Sequence, residues 1–132
     1  MRYDIVGTQP HTVTQPTPLL ADRLVEFGGR VCALVRRGPR EPALDAMHRQ
    51  LVRCATAPAA NYAEARDSAS ARDYIYRMKI CVKELRETLT WLQMTQRAGY
   101  RSPEVEVLVK ECNELIAIAV TCVRKATTNP RS

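Results

Sequence analysis

Five cysteines and two histidines are the side chains best suited to chemistry in this chain. Cys32, Cys54, Cys81, Cys112 and Cys122 are odd in number, widely spaced and free of any C-x-x-C pair. That pattern fits neither a disulfide framework nor a zinc site. Free cysteines bury like small hydrophobes, so core packing in a reducing compartment is the expectation. Asp45 and His48 stand three residues apart, one turn of helix. A di-metal carboxylate centre in a helical bundle needs two Glu-x-x-His pairs and two further carboxylates, and His11 is the only other histidine. A nucleophilic Cys or Ser needs a histidine base within reach, and histidine is scarce. No Gly-rich phosphate loop occurs. His48 is therefore expected on the surface, with no catalytic residue, metal or cofactor assigned, and the chain is read as a non-enzyme.

Positive charge is the remaining functional signal. Lys and Arg total 20 against 14 Asp and Glu, a formal charge of +6. The excess is not a tail. Residues 1–66 carry 9 basic and 6 acidic side chains, and 67–132 carry 11 and 8, so each half is +3. What that charge can do depends on which elements gather it.

At 132 residues the chain fits one domain. It is 45% hydrophobic, too apolar for a disordered chain, while 5% aromatic residues and five glycines argue against a sandwich or barrel. An all-α domain with an aliphatic core remains. Residues 1–17 lack periodicity and are expected to form a flexible arm. They contain no apolar stretch of the kind a secretory signal needs, and no segment approaches a membrane span. A cytoplasmic location follows as the expectation.

Four heptad seams then divide residues 18–126. The first helix, 18–37, is expected to start at Thr17-Pro18 and bury Leu20, Leu24, Phe27, Val31 and Leu34. Gly28 and Gly29 lie inside it and are expected to allow close helix approach. Gly38-Pro39 ends it. The second helix, 42–66, carries Leu44, Met47, Leu51 and Cys54, with a kink expected at Pro58. Its seam continues through Asn61, a polar group that must find partners.

Ser70 and Asp73 resemble a capping box for the third helix, 71–98, whose seam is Ile75, Met78, Val82, Leu85, Leu89 and Leu92. Gly99 supplies its left-handed cap. Ser102-Pro103-Glu104 starts the fourth helix, 103–126, with Val105, Leu108, Cys112, Leu115, Ala119 and Cys122 inward. Residues 127–132 form a tail. Short connections make this an antiparallel up-down-up-down four-helix bundle.

Antiparallel topology places the first and third loops at one end. Arg36, Arg37, Arg40, Arg97 and Arg101 should gather there against Glu41 and Glu104. Guanidinium forks suit phosphate, and clustered cations attract polyanions. Tyr76, Ile80 and Trp91 lie off the third seam, interleaved with Glu84 and Glu87. That face is expected to be a subunit interface, since Trp and Tyr are enriched at interface cores. Asn61 and Glu64 are expected to serve structural polar roles within and between subunits.

Several blocks resemble a known family. They are Gln50-Leu51-Val52-Arg53, Ala60-Asn61-Tyr62-Ala63-Glu64-Ala65, Ser70-Ala71-Arg72-Asp73-Tyr74 and, above all, Lys83-Glu84-Leu85-Arg86-Glu87-Thr88 with Trp91-Leu92. Glu111-Cys112-Asn113-Glu114-Leu115-Ile116 is a weaker echo. Together they resemble the four-helix-bundle proteins encoded in bacterial ribosomal-RNA intervening sequences. The chain departs from that family at Ala57, Pro58 and Ala59, where relatives usually have Ser, a β-branched residue and Gly. The resemblance implies a left-handed bundle assembled as a homopentameric ring. It extends to the accessory variability determinant of diversity-generating retroelements, a basic pentamer that works with a reverse transcriptase and its template RNA. The leading expectation is therefore a homo-oligomeric, non-enzymatic bundle that binds RNA, DNA or a nucleoprotein through its basic end. The alternative is a structural or protein-interaction module that binds no nucleic acid.

Overall fold

The structure is a computed structural model and describes residues 19–129. The expected N-terminal arm and the Thr17-Pro18 helix start lie outside the described residues. Four helices follow in order: α1 (Leu20–Arg37), α2 (Pro42–Arg66), α3 (Ala71–Arg97) and α4 (Pro103–Thr128). The last runs two residues past its expected end, so the tail begins later than the sequence suggested.

Neighbour relations close a four-sided ring of helices. α2 packs most extensively on α3, then α3 on α4 and α1 on α2, with the lightest contact between α1 and α4. Neither diagonal pair touches to any comparable extent among the described residues. The cross-links fix the direction of each helix. Arg23 early in α1 reaches Glu111 of α4, while the later Arg30 reaches the earlier Glu104. Arg53 of α2 pairs with Glu84 of α3, while the later Glu64 pairs with the earlier Arg77. Both neighbours are therefore antiparallel, as in an up-down-up-down bundle.

Local chemistry explains where each helix begins and ends. The Ser70 hydroxyl accepts from the Asp73 amide at 3.1 Å, and the Ser102 hydroxyl from the Val105 amide at 3.3 Å. Pro42 and Pro103 occupy first-turn positions where a missing amide costs nothing. At the end of α3 the Gly99 amide donates to the Gln96 carbonyl and the Tyr100 amide to the Thr95 carbonyl. These two bonds form a Schellman motif, and Gly99 takes the positive φ of 107° that it requires.

The core corrects the expected seam of α3. Met78, Leu85 and Leu92 are buried as expected, but their partners are Cys81, Thr88 and Thr95. Ile75, Val82 and Leu89 are only half-buried. Threonine can replace an aliphatic residue here because its hydroxyl bonds within its own helix. Thr88 donates to the Glu84 carbonyl at 2.7 Å and Thr95 to the Trp91 carbonyl at 2.8 Å, leaving each methyl to pack.

α2 spans the residues expected of it. It continues unbroken through Pro58, whose ring is fully buried. The Pro58 carbonyl accepts from the Cys81 thiol at 3.5 Å, and the Leu85 carbonyl from the Cys112 thiol at 3.2 Å. Burial raises both thiols to about 12, so they stay protonated and unreactive. Asn61 is half-buried, and its amide donates to the Ala57 carbonyl of the same helix at 3.1 Å.

The two mid-helix glycines have opposite roles. A Cβ on Gly28 would sit 3.2 Å from the Ala55 carbonyl oxygen, so Gly28 lets α1 lie close on α2. Gly29 faces open space and serves no such contact. Chemical denaturation should separate them. Gly29→Ala should stabilise the fold by about 1 kcal/mol through helix propensity. Gly28→Ala should lose that gain and destabilise, because backbone rather than a flexible side chain must yield.

Candidate nucleic-acid interface

One aromatic joint holds two loops together. Tyr100, in the loop of residues 98–102, lays its ring against Gly38 in the loop of residues 38–41. A Cβ on Gly38 would meet the Tyr100 hydroxyl at 3.2 Å and its ring carbons at 3.3–3.4 Å. Beneath it the His48 ring meets Tyr100 edge-on, with centroids 5.8 Å apart and planes at 62°. The absent Gly38 side chain thus creates the place where the first and third loops meet.

The joint links the loops that follow α1 and α3, two helices that lie diagonally in the bundle and end at the same end of it. Arg36 and Arg37 occupy the last turn of α1, Arg97 the last turn of α3, and Arg101 follows Tyr100. All four are exposed and make no ion pair among the described residues. Arg40, also at this end, lies 3.5 Å from Asp45. The carbonyl ends of two helices favour cations there. A groove of about 590 Å³ runs down from this end between α1 and α2, lined by Arg36, Arg40, Asp45, His48 and Arg49 with Val35 and Val52.

His48 corrects an expectation. It is 3% exposed rather than on the surface, and its Nε2 has no partner among the described residues. Burial lowers its pKa below the usual 6.5, with the Asp45 charge opposing weakly. The neutral ring is the form that packs. The sequence pattern missed it because Met47, beside it, looked like the better seam residue; Met47 is half-buried.

Elsewhere Arg–Glu pairs fasten two of the four helix–helix grooves. Between α1 and α4, Arg23 grips Glu111 at 2.7 and 3.0 Å and Glu114 at 2.9 Å, while Arg30 forks onto Glu104 at 2.9 and 3.0 Å. The Glu111 hydrogen bond raises Arg23 further above its ordinary pKa, and the Glu104 bond does the same for Arg30. Between α2 and α3, Arg53 pairs with Glu87 and, at 3.5 Å, with the buried Glu84 oxygen. Arg77 pairs with Glu64 at 2.8 Å. The Trp91 indole donates to Glu87 at 3.2 Å, and its ring packs against the core.

Of the residues expected at a subunit interface, Glu84, Glu87 and Trp91 are thus engaged within the chain. Ile80 is half-buried, and Tyr76 is exposed, 5.7 Å beneath the Arg77 guanidinium.

The groove between α3 and α4 is different. Lys79, Lys83, Arg86 and Arg124 rim it, over a floor of Val82, Val120 and Val123, enclosing about 560 Å³ with no acidic residue in the lining. The spacing of Lys79, Val82, Lys83 and Arg86 at i, i+3, i+4 and i+7 was legible in the sequence but not singled out.

Among the described residues no group of three or more His, Cys, Asp or Glu could hold a metal ion, and no helix is long and apolar enough to cross a membrane. The fold and its charge define an antiparallel four-helix bundle with an arginine-rich end. By family the chain belongs to the 23S rRNA-intervening sequence proteins, whose family model matches residues 21–121. It is also similar to a solved protein of unknown function from the S23 ribosomal protein family of Bacteroides thetaiotaomicron. That likeness has 25% identity and a TM-score of 0.71, covering 80% of this chain and 98% of the other. No curated protein matches.

The His48 site has a pH signature. Below pH 6.5 the unfolded chain takes up a proton at this histidine that the folded chain refuses. Stability contributed by the neutral ring is therefore present above pH 6.5 and lost as pH falls towards the lowered folded-state value. Urea midpoints should decline as pH falls below about 6.5 in the native protein. His48→Phe should flatten that part of the decline.

Proposed function

We propose that this protein is a non-enzymatic, self-associating bundle that binds nucleic acid through the arginine end formed by the first and third loops. The single observation that carries the reading is the meeting of Arg36, Arg37, Arg97 and Arg101, exposed and without ion pairs, around the Gly38–Tyr100 joint. Elsewhere in the fold Arg23, Arg30, Arg53 and Arg77 are matched by glutamates. Four unmatched arginines gathered at one end offer forked donors to phosphate. The family's name points to RNA as the first class to test.

Contacts of this kind recognise backbone and not sequence, because no base-reading element accompanies them among the described residues. Self-association would multiply the cluster and convert weak single contacts into avidity. A nucleoprotein partner would engage the same end through its nucleic acid.

Fluorescence anisotropy with a short labelled RNA tests the reading. Affinity should fall steeply as salt rises from about 50 to 200 mM, from release of counterions. Replacing Arg36, Arg37, Arg97 and Arg101 together by Ala should reduce the log–log salt slope by about 3. Binding that keeps its slope in the quadruple variant would reject this end as the site. No binding at low salt would reject nucleic acid as the ligand.

A further inference from the structure

Apart from the arginine end, two faces of opposite charge hold side chains without ion pairs. One is the α3–α4 groove, where Lys79, Lys83, Arg86 and Arg124 make no ion pair among the described residues. Lys79 and Lys83 stand one turn apart, an arrangement in which like charges oppose the helix that carries them. The other is the outer face of α1, where Asp22 and Glu26, also without ion pairs, flank Val25. Val25 is 64% exposed, the largest exposure among the big hydrophobic residues described.

The two faces match in spacing as well as sign. Asp22, Val25 and Glu26 repeat the i, i+3, i+4 pattern of Lys79, Val82 and Lys83. An exposed valine between two acids faces a valine-floored groove between cations. We infer that the acidic α1 face of one copy docks in the basic α3–α4 groove of the next. Val25 sits over Val82, Val120 and Val123, and Asp22 and Glu26 reach the flanking lysines.

The face and the groove are different surfaces of one chain, so the contact is heterologous. Repeated, it builds a closed ring or an open filament rather than a two-fold dimer. The arginine end formed by the loops stays outside it, as does the α2–α3 flank that carries Trp91. The inference rests on the self-association within the proposed function and supplies its contact surfaces.

Charge exchange tests it, with light scattering after gel filtration as the readout. The native protein should assemble at micromolar concentration. Lys83→Glu with Arg86→Glu should raise the dissociation constant by roughly 100-fold or more, since acid would then face acid. Asp22→Lys with Glu26→Lys should do the same from the other side. All four substitutions in one chain should restore assembly. Val25→Ser, at a site too exposed to matter for folding, should loosen it, and circular dichroism should show each variant folded. An assembled native protein whose size ignores both reversals, or a quadruple variant that stays dissociated, overturns the docking alone. A monomeric native protein overturns self-association and the docking together. Binding of RNA by the monomeric variants reports separately on the arginine end.

Discussion

The fastening of two grooves by Arg–Glu pairs governs the rest of this molecule. Arg23 and Arg30 hold α1 to the glutamates of α4, while Arg53 and Arg77 join α2 and α3 through Glu87, Glu84 and Glu64. Each such pair adds modestly to stability at a half-exposed site. Their larger consequence is distribution. Six of the acidic side chains are committed to them, counting Asp45 apart. Two clusters of the remaining cations lie where those acids are not: at the loop end and along the α3–α4 groove. An overall charge of +6 becomes local fields of one sign, and local fields attract polyanions.

The core needs less from charge. Aliphatic side chains from all four helices fill it, and thiols and threonines occupy positions that usually hold larger apolar groups. Cys81 and Cys112 donate to carbonyls of neighbouring helices, and Thr88 and Thr95 to their own. Small side chains and a bare Gly28 let helices approach closely without leaving polar atoms stranded. His48 departs from this, an imidazole nitrogen without a partner under the joint that sets the loop geometry, as does a buried Glu84 oxygen held only by its 3.5 Å ion pair with Arg53.

Much of the architecture was legible because hydrophobic period, caps and proline position all agree. Ser102-Pro103 marked one helix start and Gly99 one helix end for reasons visible in single residues. Helix three was rotated from its expected register because Val82 and Leu89 outrank Thr88 and Thr95 in hydropathy. A threonine that bonds its own helix escapes that scale. His48 was misplaced for a similar reason: burial of a polar ring depends on Tyr100, a residue from another loop that no local pattern connects to it. The arginines of the loop end could be gathered from topology alone. The α3–α4 groove could not, because its uncompensated charge is visible only once the partners of the paired glutamates are known. Trp91, read in the sequence as an anchor for another subunit, also donates within the chain to Glu87.

Division of the arginines into matched and unmatched sets is the central claim, and each guanidinium can report on it. Nε–Hε resonances followed by NMR during addition of a short RNA measure that division directly. The account predicts that Arg36, Arg37, Arg97 and Arg101 shift first and together, while Arg23 and Arg30, held by glutamates, stay in place. Shifts spread evenly over both sets, or strongest at Arg23 and Arg30, would contradict it.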